Sequence, residues 1–244
     1  SAHANHSRIR QFPLKDKENC LYSKDVISFA RKKGYFTGKD KDFSFSEAYA
    51  PIDFGAKRYC EARVWSFFNK WAAEDMKPYL PYAMGEDVNP ETKQPVDGIP
   101  HEMPLWVKPK QFLSTQDVKD MMRDHYEGTP MDITEGLGSL PWKMPYRVTP
   151  LSYKVDGKEY FNERPISTVQ SSAIYVAQMR DWLPDYIGGV LWFGNDDANM
   201  VALTPIYSCL ESVPDCHSAK HANATTFSFR NAYWVCNWVS NKVN

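Results

Sequence analysis

Four stretches of this 244-residue chain bring together side chains able to do chemistry. HANHSRIR, residues 3–10, sets two histidines, an asparagine and two arginines side by side. HYEGTPMDIT, residues 125–134, places His125, Glu127, Thr129 and Asp132 just past an expected helix end. Functional groups are often carried on such loops over a rigid frame. NERPISTVQSSAIYVAQMR, residues 162–180, brings Arg164 to the start of an expected strand, followed by Ser167, Thr168, Gln170 and Ser171. A guanidinium there can hold a carboxylate through paired hydrogen bonds. LWFGNDDAN, residues 191–199, offers adjacent carboxylates in Asp196 and Asp197.

Each stretch also has a plainer reading. Gly128–Thr129–Pro130 can fix a turn whose polar neighbours merely satisfy backbone groups. His125 and Glu127, two apart at a helix terminus, do not share a face, which argues against a metal site. Arg164 can pair with an acid such as Glu163. The Asp196–Asp197 loop lacks the glycine and distal glutamate of an EF-hand and reads as a hairpin turn. No GxSxG elbow supports a Ser-His-Asp hydrolase, and no glycine-rich phosphate loop is present. The five cysteines (Cys20, Cys60, Cys209, Cys216 and Cys236) show no CxxC spacing. They are expected to be unpaired and buried, although Cys209 and Cys216 could bridge in an oxidising compartment. Asn223-Ala224-Thr225 fits a glycosylation sequon, a tripeptide too common by chance to carry a function.

These groups need elements to position them. Ser1 to Ile9 alternates weakly, as a strand would. Ser23 can cap a helix carrying Val26, Ile27, Phe29 and Ala30, ended by Gly34. A second helix is expected over about residues 54–72, with Ala62, Val64, Trp65, Phe68 and Trp71 on its apolar side. Residues 73–110, rich in proline, glycine and acids, read as a long loop excursion with little regular structure. Its apolar anchors Tyr79, Leu80, Tyr82, Met103 and Leu105 would pack it onto its own domain. Ser114 and Asp117 form a capping box for a helix that Gly128 would close. Beyond Asn162 the period shifts to two, giving consecutive antiparallel strands in ISTVQSSAIYVAQM, GGVLWF and VALTPIY. The C-terminal FSFRNAYWVCNWVSNKV returns to helical spacing. The expectation is a single α+β domain over residues 1–244.

Bulk properties narrow the partners. Twenty-nine Lys and Arg against thirty Asp and Glu leave a net charge of −1, without the basic excess of a nucleic-acid binder. Mean hydropathy is −0.55 and no apolar run reaches membrane-spanning length, so no membrane partner is expected.

Taken together, AHANHSRI, MRDHYEGTPMDIT, NERPISTVQSSAIYVAQMRDWLPDYIGGVLWFG and DDANMVALTPIY resemble, in that order, the bacterial cysteine-nucleophile dipeptidases of the N-terminal-nucleophile (Ntn) hydrolase superfamily. The resemblance covers most of the chain. It implies an αββα sandwich of antiparallel sheets and a dipeptide substrate hydrolysed through a cysteine thioester, with no metal or organic cofactor. In that family the catalytic cysteine opens the mature chain and its own α-amino group, with a pKa of about 8, serves as base. Here Ser1 stands first, SAHANHSRI resembles an interior strand, and Cys20 in KENCLYS does not look like the nucleophile segment. The resemblance therefore implies an internal or C-terminal portion of the enzyme. Its partner would be the remaining N-terminal part, with a homo-oligomer and the compartment left open, and the chain alone would be inactive. Asn5 would stabilise the oxyanion, Arg164 would tune the thiolate or hold a substrate carboxylate, and His125 and Glu127 would approach the substrate. Two rivals stand beside this reading: an Ntn amidase acting on an N-acyl amino acid or bile-salt conjugate, and a non-catalytic module retaining the fold.

Overall fold

A computed structural model describes residues 1–139, 141–147 and 152–243. They fall into two compact units, residues 1–111 and 112–244, and the secondary structure is mixed helix and antiparallel sheet.

The first unit is helical. Helix α1 (Val26–Lys33) buries Val26, Ile27 and Ala30 against Phe43 and Ala48, inside a shell containing Phe12, Tyr22, Phe36 and Tyr49. It ends at Gly34, whose φ of 76° lets its N–H return to the carbonyls of Ala30 and Arg31. Ser23 contributes through its carbonyl, which accepts from the Val26 N–H at 3.1 Å, instead of the expected hydroxyl cap. Residues 1–10 form no strand. The carbonyls of Ile9 and Arg10, which a neighbouring strand would use, accept instead from Ser46 and Phe45 at the start of α2 (Phe45–Tyr49). A helix N-terminus has N–H groups with no partner of its own, and these claim the extended segment.

The second expected helix is present but divided. Asp53 caps α3 (Phe54–Ala56) by accepting from the Ala56 N–H at 2.7 Å. A π-helical turn, Lys57–Glu61, follows and runs into α4 (Ala62–Trp71). All five apolar residues expected on its inner side are buried. The following segment opens with more regularity than its composition indicates: α5 (Ala73–Met76), a 3₁₀ turn (Lys77–Tyr79) and α6 (Leu80–Ala83). Pro78 and Pro81 sit in first turns, where a missing N–H costs no helical bond. From residue 84 the chain is largely irregular, and Tyr82 and Met103 are its buried anchors.

In the second unit, the Ser114 hydroxyl accepts from the Asp117 N–H at 3.1 Å while Asp117 accepts from the Ser114 N–H at 2.7 Å, the expected capping box of α7 (Thr115–Met121). The helix stops well before Gly128, because Arg123 and Asp124 tighten onto Asp120 and Met121 and Tyr126 turns left-handed. A hairpin of β1 (Ser152–Val155) and β2 (Lys158–Phe161) turns through Asp156 and Gly157, both at positive φ, as Asp-Gly favours. Strands β3 (Ala173–Met179), β4 (Gly189–Asn195) and β5 (Thr204–Tyr207) form the expected antiparallel sheet in sequence order. One helical turn, α8 (Asp185–Gly188), joins β3 to β4. Ile174, Ala198 and Val201 form the core beneath, with Met122, Leu203 and Cys236 of α9 (Ala232–Val243) packed on it. Residues 166–172 are not strand: Ser167 N–H bonds to Asp124 and Ser171 closes a turn onto Thr168.

Candidate functional site

The second unit contains a buried polar centre, and backbone at positive φ borders it. Tyr126 has φ of 65° and Asp196 φ of 105°. An aromatic residue in that region costs about 1–2 kcal/mol unless its surroundings fix it. Tyr126 is fixed at both ends. Its buried hydroxyl donates to the Arg164 carbonyl at 2.8 Å, and its own carbonyl accepts from the Thr129 N–H and hydroxyl.

Asp197 is the hub. The residue is 2 % exposed. One oxygen accepts from the Ser167 hydroxyl at 3.1 Å and the Asn199 N–H at 3.2 Å, and the other from the Tyr146 hydroxyl. Burial, with the Asp197 hydrogen bond beside it, pushes the Tyr146 phenol above its ordinary range, so it stays a donor. Two segments distant in sequence, at Tyr146 and Ser167, are thereby tied to one carboxylate.

His125 packs its ring edge-on to Tyr146, with centroids 6.4 Å apart. Its Nδ1 lies 3.0 Å from Glu127 and its backbone N–H donates to the same carboxylate at 2.7 Å. Nε2 is buried without a hydrogen-bond partner among the described residues. Asp132 and Thr129, by contrast, follow the plainer reading: they accept from Gly128, Thr134 and Met131 and shape the loop. Burial opposes ionisation of Glu127, but the hydrogen bonds from His125 outweigh it and hold the carboxyl at about 2. A depressed carboxyl stabilises the fold above its unfolded value of about 4.3, and that contribution is lost as pH falls towards 2. Urea titrations between pH 5 and pH 2 are therefore expected to show a loss of stability that Glu127→Gln flattens. The effect is modest, because half of the Glu127 side chain is exposed to solvent. An unchanged slope in the variant would contradict it.

Arg164 does not begin a strand; it lies in the irregular segment between β2 and β3. With Tyr146, Arg147, Glu163, Ser167 and Thr168 it lines a small pocket. Arg147 was not singled out by the sequence, and burial lowers its guanidinium's pKa, with Glu163 opposing.

Asn5 belongs to the first unit and is exposed. Its Oδ1 accepts from Arg63 at 2.7 Å, which orients the amide and leaves its N–H₂ end as the donor. Two buried ion pairs flank the π turn of that unit. Arg8 meets Glu61 at 3.0 Å and donates to the Met103 and Pro104 carbonyls, and Lys57 reaches both oxygens of Asp87 at 2.7 Å. Burial, then the Glu61 and Asp87 carboxylates, raise the Tyr82 phenol far above its usual range.

All five cysteines are free thiols, but only Cys60 is buried, and Cys209 is exposed. Among the described residues no group of three or more His, Cys, Asp and Glu is placed to hold a metal ion, and no helix is long and apolar enough to cross a membrane.

A sequence profile of peptidase family C69 matches residues 1–244. A probable dipeptidase of Salmonella dublin is 25% identical over 239 residues, covering 96% of this chain and 46% of that protein. One from Latilactobacillus sakei is 22% identical over 232 residues, covering 95% and 40%. Probable dipeptidase A of Streptococcus pyogenes serotype M3 is 24% identical over 234 residues, covering 93% and 41%. The chain thus spans less than half the length of these relatives.

Proposed function

The chain belongs to peptidase family C69, and from that premise we propose that it forms part of a dipeptidase whose nucleophilic cysteine lies outside these residues. The observation that carries this reading is the profile match along the whole chain, joined to relatives named as probable dipeptidases.

In this reading a thiolate adds to the scissile carbonyl and makes a tetrahedral oxyanion. Collapse breaks the C–N bond, the protonated amine leaves, and water hydrolyses the thioester. Asn5 donates its amide N–H to the oxyanion, and the Arg63 bond to its Oδ1 supports that orientation. Arg164 holds the substrate in this reading, and His125 and Glu127, on the strained loop of the same unit, approach it.

The fold of the reading is an αββα sandwich, with β3–β4–β5 as part of one sheet. Ile174, Val176 and Val190 are buried on one face of that sheet, whereas Tyr175, Met179 and Leu191 on the other are exposed and apolar. A second sheet layer would cover them.

The test compares this chain alone with a full-length C69 protein that contains it, both assayed for amino-acid release from dipeptides and from N-acyl amino acids. The full-length protein is expected to cleave dipeptides preferentially and the chain alone to release nothing. Asn5→Ala in the full-length protein is expected to lower kcat by about 10²–10³-fold, the usual cost of one oxyanion donor. Cys20-dependent turnover by the isolated chain, or preference for N-acyl substrates, overturns the reading.

A further inference from the structure

The geometry points to the pocket between Arg147 and Arg164 as a receptor for the free α-carboxylate of a peptide, an inference that rests on the dipeptidase reading and names what it recognises. Two guanidinium groups line this pocket, and each keeps a buried N–H without an acceptor among the described residues: Nη1 of Arg147 and Nε of Arg164. Buried donors left unpaired cost free energy, and for a charged group the cost is larger. Two such donors on separate segments lining one space call for an acceptor with two oxygens.

Size and charge choose among acceptors. The space is about 20 Å³, room for roughly one or two water-sized groups. That fits the two oxygens of a carboxylate and not a whole side chain. Glu163 lines the same pocket, so two guanidinium groups and one carboxylate leave a single net positive charge, matched by one carboxylate and poorly by a phosphate dianion.

The arginines are held in place by other parts of the unit. Tyr126 ties the Arg164 backbone, and Ser167, three residues on, is anchored to Asp197. Arg147 donates from Nη2 to the Glu135 carbonyl at 3.3 Å. Its guanidinium lies so close over Gly138 that an added Cβ would come within 3.1 Å of Nε and Cζ and 3.2 Å of Nη1. The strained Tyr126 turn thereby has a purpose: it sets the backbone from which one of the two guanidinium groups projects.

The experiment titrates the chain with N-acetylglycine, N-acetylglycinamide and inorganic phosphate, following the arginine Nε–H resonances by ¹⁵N–¹H NMR. N-acetylglycine is expected to shift the Arg147 and Arg164 signals saturably, with the amide and phosphate binding at least about tenfold more weakly. Arg164→Met and Arg147→Met are each expected to lose at least about tenfold, and Arg164→Lys to recover only part, since a lysine cannot offer the planar fork. Should those variants fold poorly, Gly138→Ala keeps every charge and pushes only the Arg147 guanidinium. It is expected to weaken binding several-fold while the Arg164 signal stays in place. Equal binding of acid and amide, phosphate binding as tight as the acid, or unchanged affinity in Gly138→Ala and both methionine variants overturns the inference. The two readings fail separately. Acid-selective binding without dipeptide cleavage by the full-length protein sinks the dipeptidase and keeps the receptor. Cleavage at equal rates of dipeptides and their C-terminal amides keeps the dipeptidase and sinks the receptor.

Discussion

Glu61→Ala is expected to destabilise the protein by about 3–5 kcal/mol, the cost of leaving one member of a buried ion pair behind. Arg8 and Glu61 are almost wholly buried, 5 % and 3 % exposed at the side chain. The partners left behind decide which single change is worse. Without Glu61, Arg8 still donates to the carbonyls of Met103, Pro104 and Ala2. Without Arg8, Glu61 keeps only the Tyr82 hydroxyl at 3.5 Å among the bonds described, and those carbonyls lose their donor as well. Arg8→Met is therefore expected to cost more than Glu61→Ala. The double variant Arg8→Met/Glu61→Leu removes both charges and is expected to recover most of the loss. Urea unfolding of the wild type, Arg8→Met, Glu61→Leu and the double variant closes the cycle and gives the coupling. A double variant as unstable as the sum of the singles would show that the pair contributes through packing and the carbonyl contacts, and not through charge.

That ion pair also shows where the sequence stops being legible. The apolar side of α4 could be read from Ala62, Val64, Trp65, Phe68 and Trp71, because helical spacing is local. So could the Ser114–Asp117 cap and the order of β3, β4 and β5, which short turns enforce. Each depends on residues within a few positions of one another. The π turn at Lys57–Glu61 depends instead on Asp87 and Arg8, thirty and fifty-three positions away. The α7 helix was expected to run to Gly128, since a glycine after a helical pattern is a good stop. It ends earlier, where Arg123 and Asp124 tighten onto Asp120 and Met121, and the Asp124 carbonyl beyond it accepts from Ser167, forty-three positions on. The same reason explains the candidate site. His125, Glu127 and Arg164 could be picked out by type, and the structure places all three in one unit. Arg147 and the hub at Asp197 could not, since an isolated arginine and a pair of turn aspartates look like ordinary surface until their distant partners are known. The one local hint was the adjacency of Asp196 and Asp197, and it pointed to a turn.

Asp197→Ala is the other large effect, expected at about 3–4 kcal/mol of stability, because it strips one acceptor from three donors at once. The Ser167 hydroxyl, on a residue with no exposed surface, has no water to turn to. The Asn199 N–H and the Tyr146 hydroxyl lose the same partner. Asp197→Asn separates charge from geometry. Its Oδ1 can still accept from Ser167 and Asn199, and its amide can donate to a Tyr146 oxygen that rotates to accept, so about half the loss or less is expected. The structural consequence extends past the hub. Tyr146 precedes Arg147, and Ser167 follows Arg164 by three residues, so one carboxylate sets the separation of the two guanidinium groups. Asp197→Asn should therefore preserve both the Arg147 and Arg164 Nε–H signals and their response to N-acetylglycine, whereas Asp197→Ala should weaken that response even where the chain remains folded. Loss of stability with an intact carboxylate response would separate the hub from the pocket and make Asp197 a support of the core alone.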